Sequence, residues 1–255
     1  MTLEVRQFPC LSDNYGYLIR CSATGACAAI DTPDASRILA EAAEAGWTIT
    51  DVWNTHHHWD HAGGNAEVKA ATGADVTAPQ AEARRIEAVD RTVRHGDRVR
   101  LGDLEAEVID VGGHTLGHIA YWFESEKAAF VGDALFALGC GRLFEGTPDQ
   151  MVQSLSRLRD LPGDTVIYCA HEYTLTNARF ALTVDPENRA LQDYAKAVEA
   201  KRGREEPTVP TRLDAERAAN PFLRWDDPAL RGHLGMEAAS DVEVFAEVRR
   251  RKDQF

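Results

Sequence analysis

The sequence predicts an α/β body followed by an α-helical C-terminal region. Short apolar strand-like segments alternate with helix-like segments through about residue 172. From residue 173 the strand signals stop, and the remainder to Phe255 reads as helices and loops. The 255 residues suffice for one large domain with a smaller one attached, which divides the chain into 1–172 and 173–255. Strands covered by helices and then a helical tail define the class. Periodicity alone leaves open whether the strands form one sheet or two packed sheets.

Each element has its own signal. EVRQF (4–8) and YGYLIR (15–20) read as strands around an SDN turn, and CAAID (27–31) as a third. Asp34 opens a helix over ASRILAEAAEAG that ends at Gly46, as helices commonly end. ITDVWNT (49–55) is a buried strand carrying a histidine run at its C-terminal end, and a helix resumes near Gly64 and stops around Gly73. GDRVRLGDLEAEVIDV (96–111) reads as two strands turning at Gly102–Asp103. The loop GGHTLGH then leads to strands at IAYWFE (119–124) and KAAFVGD (127–133). Thr147-Pro148-Asp149-Gln150 starts a helix, with Thr as N-cap, Pro in the first turn and Gln in the reciprocal capping position. That helix buries Met151, Leu155 and Leu158, and TVIYCA (165–170) is a further strand that ends at His171.

Composition removes several classes of function. With 44% hydrophobic and 27% charged residues and no low-complexity tract, the chain is an ordinary globular protein. No run of about 18 apolar residues is present, so no membrane span is expected. MTLEVRQFPC lacks the pattern of an export or transit signal, which points to the cytoplasm. A net charge of −13 argues against nucleic acid as a partner. An anionic substrate would need a local basic patch or metal ions to offset that field. Cys10, Cys21, Cys27, Cys140 and Cys169 are odd in number and contain no CxxC, which suits buried thiols in a reducing compartment and argues against a thiolate zinc site.

The chemistry concentrates at strand ends. His56, His58, Asp60 and His61 follow the strand at 49–55, and His114 lies in GGHTLGH. Asp133 closes VGD and His171 follows YCA. One stray histidine is most often a satisfied core or surface residue, but seven His and Asp positions at four strand ends are rarely brought together without a role. In an extended backbone residues i and i+2 share a side. His56 and His58 can therefore reach one ion while His57 points away. Asp60 and His61 lie where the chain turns into the helix and suggest a second ion. His56, His58 and His114 supply three ligands for the first ion, and Asp60, His61 and His171 three for the second. Asp133 has two carboxylate oxygens and can bridge them. Such a pair of divalent ions makes a nucleophilic hydroxide from water at neutral pH and polarises a carbonyl. Zn²⁺ suits this donor set, with Fe and Mn chemically reasonable. No GxSxG is present, and none is needed. His118 reads as a structural or supporting residue, and His95 and His233 as surface residues. Asp31 can organise the loops around the ions or cap the following helix. Asn14 and Tyr15 lie in a turn whose relation to the ions the sequence does not show.

THHHWDH at 55–61 is the HxHxDH motif of the metallo-β-lactamase superfamily, with His114, Asp133 and His171 at the positions of its later ligands. The chain resembles one branch of it, the hydroxyacylglutathione hydrolases (glyoxalase II), from end to end. THHHWDHAGGN, GHTLGHIAYW, VGDALFALGCGRLFEGTP, CAHEYTLTNARFA, ANPFLRW and RRRKDQF carry the likeness, the C-terminal pieces most specifically. The resemblance implies an αββα sandwich of two β-sheets with outer helices, followed by a small α-helical substrate-binding domain. It implies hydrolysis of the thioester S-D-lactoylglutathione to D-lactate and glutathione by a metal-bridged hydroxide, with Asp60 and Asp133 in the catalytic centre. That reaction is the second step of methylglyoxal detoxification. It also implies that Arg249, Lys252 and Arg142 meet the carboxylate end of glutathione and that Tyr173 bonds its peptide part.

The residues are compatible with that substrate. A thiolate leaving group is far less basic than an amide nitrogen, so no strong general acid is required. Ser240-Asp241-Val242-Glu243 reads as a capping box, and the helix it opens places Arg249 and Lys252 one turn apart on one face. Two positions depart from well-known relatives. Phe144 stands where they carry tyrosine, so its ring can pack on substrate without a hydroxyl contact. Arg142 replaces a lysine and can fork onto a carboxylate. A mononuclear iron dioxygenase of glutathione persulfide, from the same superfamily, is the alternative enzyme, but it leaves Asp60 and His61 without an ion. A non-catalytic metal-binding scaffold would be expected to lack ligands, and none is missing. A monomer is the default assembly.

Overall fold

The computed structural model describes residues 2–255. They form two compact units. One runs to Asp110 and takes in Gly117–Gly132, and the other is Val111–Leu116 with Asp133–Phe255.

The first unit holds the strands β1 (Leu3–Cys10), β2 (Asn14–Cys21), β3 (Cys27–Ile30), β4 (Asp51–Trp53), β5 (Asp75–Pro79) and β6 (Arg91–Val93), which pair in chain order into one sheet. The pairing is antiparallel through β3 and parallel from β3 to β6. Parallel neighbours need crossovers. The helices α1 (Ala35–Ala45), α2 (Trp59–Ala62) and α3 (Asn65–Thr72) supply two of them. Asp34 caps α1 by accepting from the Arg37 amide, and Gly46 ends it in the left-handed conformation at φ 67°. Ile38 and Ala42 of α1 and Val68 of α3 pack on Leu18, Ala29, Val52 and Val76 of the sheet. Strands β7 (Arg98–Leu101), β8 (Leu104–Asp110), β9 (Ile119–Phe123) and β10 (Ala128–Gly132) form an antiparallel meander. Along β8, Leu104, Ala106 and Val108 are buried, while Glu105 and Glu107 between them are half-buried, the alternation of a sheet with one face inward.

The two sheets meet through aromatic rings. Trp53 lies 5.3 Å from Tyr121 and 6.0 Å from Phe123, and Tyr17 meets Phe130 edge-on at 5.6 Å. Each such pair adds roughly 0.5–1.5 kcal/mol beyond its area burial. The buried Tyr121 hydroxyl donates to the Asn54 carbonyl at 2.8 Å, which satisfies its polar end. This is the face-to-face packing of a β-sandwich, and it answers the question that periodicity left open.

In the second unit β11 (Leu135–Phe136) and β12 (Gly139–Cys140) make a short hairpin. Helix α4 (Pro148–Arg159) follows, with the expected Thr147–Gln150 capping box in place, and then β13 (Val166–Cys169). The rest comprises α5 (Thr174–Val184), α6 (Arg189–Arg202), β14 (Thr211–Arg212), α7 (Leu213–Ala219), α8 (Pro228–Leu234) and α9 (Asp241–Asp253). Ser240 and Glu243 form the capping box that opens α9. Apolar positions of α5, α6 and α7, among them Ala178, Leu191, Val198 and Ala219, pack around Leu138 from the hairpin turn.

Five strands were not expected: β5, β6, β14 and the two-residue β11 and β12. β5 is a buried run, DVTAP, too short and too Ala/Pro-rich to signal itself, and β6 is three largely exposed residues. β14 corrects the reading that strands stop at residue 173: Thr211 and Arg212 pair antiparallel with Ile167 and Val166. Two residues carry no periodicity, so only tertiary pairing defines that strand.

Candidate active site

In the first unit β4 hands the chain to Asn54 and Thr55, and the histidine run follows. His56 is fully buried. Its Nε2 stands 3.0 Å from His58 Nδ1, close to the spacing of two nitrogens each about 2.0–2.1 Å from one tetrahedral Zn²⁺. Thr55 Oγ1 donates to Asp31 Oδ2 at 2.7 Å and is left to accept from His56 Nδ1 at 3.0 Å. That sets the tautomer and bares Nε2. His61 is held the same way: its Nδ1 donates to Asp31 Oδ2 at 2.8 Å, which leaves Nε2 to ligate. Asp60 sits on α2 with Oδ2 3.7 Å from His61 Nε2, and Asn14 Nδ2 donates to that oxygen at 3.1 Å. His57 points elsewhere, as the i,i+2 rule requires. Its Nδ1 and backbone N–H both bond Glu82 Oε2, at 2.6 and 2.7 Å. His118 is buried and stacks on His56 at 4.5 Å and 19°. Gly132 lets β10 end in a tight left-handed turn at φ 49°, where a Cβ would collide with Thr55 Oγ1 and the His118 ring.

Asp31 thus fastens Thr55 and His61 and is not the cap of α1, which is Asp34. Asp31→Ala should weaken metal affinity by roughly 10–100-fold while every candidate ligand stays in place. Competition with a chelator measures this, and unchanged affinity would remove Asp31 from the site.

In the second unit Asp133 sits between two imidazoles. His114 Nε2 is 3.4 Å from its Oδ2, and His171 Nε2 is 3.3 Å from its Oδ1. One carboxylate with a ring nitrogen at each oxygen has the form of a bridging ligand. His114 Nδ1 donates to the Arg142 carbonyl at 2.9 Å, which in the neutral ring leaves Nε2 unprotonated. Gly141 is required beside it, since a Cβ there would overlap the Asp133 carbonyl and touch the His114 ring. The donors in both units are imidazole nitrogens and carboxylate oxygens alone, and the tautomers of His56, His61 and His114 are set by the bonds behind them. These His/Asp clusters are suited to a dinuclear metal centre.

A cleft of about 480 Å³ lies in the second unit. His114 and Asp133 line it together with Arg142, Phe144, Tyr173, Arg249 and Lys252. Tyr173 stacks on His171 at 4.8 Å and 4°, and Phe136 meets both rings edge-on. Phe144 is 63% exposed and meets the His114 ring at 5.2 Å. Arg249 is buried, donates to the Cys140 carbonyl at 3.0 Å and pairs with Asp253 at 2.8 Å. Lys252 has its pKa lowered to about 8, first by burial and then by Arg249 and Arg142. The basic residues of α9 divide here. Arg249 and Lys252 face the cleft, whereas Arg250 and Arg251 both pair with Glu247 at 2.7 and 2.8 Å and take no part in its wall.

Glu82 gave no local signal, since it lies in a loop remote from every motif. Asn14 and Asp31 reach the candidate metal-binding side chains only through the fold. Asn177, Thr176, Phe136 and Cys140 also line the cleft. They fall inside quoted motifs, but residue type alone does not mark them.

Residues 17–171 match the metallo-β-lactamase superfamily, and residues 172–255 match the hydroxyacylglutathione hydrolase C-terminus. The chain is 61% identical over 253 residues to a hydroxyacylglutathione hydrolase of Maricaulis maris strain MCS10, covering 99% of both chains. It is 57% identical over 253 residues to that of Erythrobacter litoralis strain HTCC2594, covering 99% of this chain and 100% of the relative. Among solved structures, ETHE1 from Myxococcus xanthus aligns with a TM-score of 0.70 at 27% identity, over 97% of this chain and 90% of that one. With the sandwich, the His/Asp clusters and the C-terminal helices all matched, the chain belongs to the hydroxyacylglutathione hydrolase family of the metallo-β-lactamase superfamily.

Proposed function

We propose that the protein hydrolyses S-D-lactoylglutathione and related 2-hydroxyacylglutathiones to the hydroxy acid and glutathione. One observation carries this reading: the cleft that is lined by Arg142, Arg249 and Lys252 is also lined by His114 and Asp133. Cations for a carboxylate-bearing thiol and donors for a metal ion share one wall.

The residues divide the work. Arg249 and Lys252 offer positive charge to the carboxylate end of glutathione, and Arg142 adds a fork that matches a carboxylate. Tyr173, held flat by His171, offers its hydroxyl to the peptide part, and the Phe144 ring covers the substrate without a polar contact. His56, His58 and His114 would hold one divalent ion and Asp60, His61 and His171 the other, with Asp133 shared. Zn²⁺ suits the donors, while Fe and Mn remain compatible with them. Two bound ions supply a nucleophile from water at neutral pH and an electrophile for the thioester carbonyl. The carboxylate oxygens of Asp60 and Asp133 can accept hydrogen bonds from an attacking water and so orient it. The leaving thiolate departs without a general acid. We place the enzyme in the cytoplasm as a monomer. Among the described residues no helix is long and apolar enough to cross a membrane.

Zn²⁺-loaded protein should consume S-D-lactoylglutathione, followed by loss of the thioester absorbance, and His58→Ala should not. Equal rates for the two proteins would refute the proposal.

A further inference from the structure

The hairpin between Asp133 and Arg142 is fastened from outside at nearly every backbone polar group of its turn. Leu138 N–H donates to Glu216 Oε2 at 2.8 Å. The Ala137 carbonyl accepts from Asn177 Nδ2 at 3.1 Å. The carbonyls of Phe136 and Gly139 both accept from Asn220 Nδ2, at 3.2 and 3.0 Å. Leu138 occupies the left-handed region at φ 56°, which a side chain with a Cβ enters only when its surroundings impose it.

Glu216 ties these fastenings together. Its side chain is fully buried on α7. Besides Leu138, its Oε2 accepts from Asn220 Nδ2 at 3.0 Å, and its Oε1 accepts from Tyr194 OH at 2.9 Å and Thr211 Oγ1 at 2.7 Å. Four donors on one carboxylate explain how it is tolerated in the core without a cation beside it. They also explain Asn220 of the ANPFLRW motif, which no feature of the cleft uses directly. The two feet of the hairpin are functional. Asp133 precedes β11, and Cys140 and Arg142 follow the turn, with the Arg142 carbonyl setting the His114 tautomer.

We infer that Glu216 is a positioning residue: by fixing the strained turn at Leu138 it holds Asp133 and Arg142 in the places the cleft requires. Glu216 touches no wall of the cleft, so its effect runs through the hairpin. For its kinetic consequences the inference rests on the thioesterase reading above.

Two variants separate positioning from charge. Glu216→Gln keeps the length: its carbonyl oxygen can accept from Leu138 and Asn220, while its amide donates to the two hydroxyls, one of which then loses its acceptor. Glu216→Asp keeps the charge but withdraws the oxygens by one methylene and cannot hold the same four donors. Positioning predicts that Gln stays near wild type while Asp raises KM for S-D-lactoylglutathione and lowers kcat, by about tenfold or more together. A purely electrostatic role predicts the reverse order, and that result would overturn the inference. Amide hydrogen exchange reads the hairpin without any substrate. Leu138 N–H of the wild-type protein should exchange with the slowest class, and in Glu216→Asp about tenfold or more faster. Fast loop-type exchange of Leu138 in the wild type would overturn the inference even if both variants failed to fold. A wild-type protein that does not turn over the thioester would remove the functional reading instead, and the exchange experiment would still decide the role of Glu216.

Discussion

Asp133→Ala is expected to lower turnover of S-D-lactoylglutathione by well over about 100-fold, the upper end of what losing a group behind a metal ligand costs. Asp133 is more than such a group. It is the carboxylate with His114 Nε2 at one oxygen and His171 Nε2 at the other. Removing it takes from the His114 and His171 imidazoles, each proposed to hold its own ion, the one anion placed against both. Elemental analysis of the same sample should show less than the full metal complement. The fold should persist, because Asp133 lies just past the end of β10 and belongs to none of the apolar core clusters. A folded Asp133→Ala enzyme with full metal content and wild-type turnover would contradict the role assigned to this residue.

The second large effect concerns Lys252 and pH. Burial, then Arg249 and Arg142, bring its pKa down to about 8. A bound carboxylate favours the protonated amine, so the charged form binds and the neutral form does not. As pH rises through about 8 the free enzyme loses that charge, and kcat/KM should fall through a rising KM. Lys252→Ala should show the high KM at every pH, raised by about 10–150-fold for a lost hydrogen bond to a charged group of 1.5–3 kcal/mol. Lys252→Arg, which stays charged throughout, should extend the plateau to higher pH. Steady-state kinetics between pH 6 and 10 on the three proteins checks this. An alkaline limb that survives unchanged in Lys252→Arg would assign it to another group.

Much of this site was legible because local geometry carries it. The alternation of an extended backbone separates His56 and His58 from His57, and the structure finds His57 turned to Glu82. The capping boxes at Thr147 and Ser240 are local as well, and both form. Helical spacing put Arg249 and Lys252 on one face, and both line the cleft. What was not legible depends on groups distant in sequence. Asp31 reaches Thr55 and His61 across 24 and 30 residues, and Asn14 reaches Asp60 across 46. No pattern near Asp31 distinguishes a ligand organiser from a helix cap. Residue type alone does not show that Glu247 engages Arg250 and Arg251. The two-sheet architecture followed from the family resemblance, since Trp53 and Tyr121 give no sign in sequence that they will meet.

Metal titration tests the central claim most directly. Metal-free protein is given Zn²⁺ in steps, and S-D-lactoylglutathione hydrolysis is measured against ions bound per chain. The account predicts that activity reaches its maximum only as the second ion binds, and that no oxygen is consumed. Full activity with a single iron per chain, accompanied by oxygen uptake on glutathione persulfide, would contradict it.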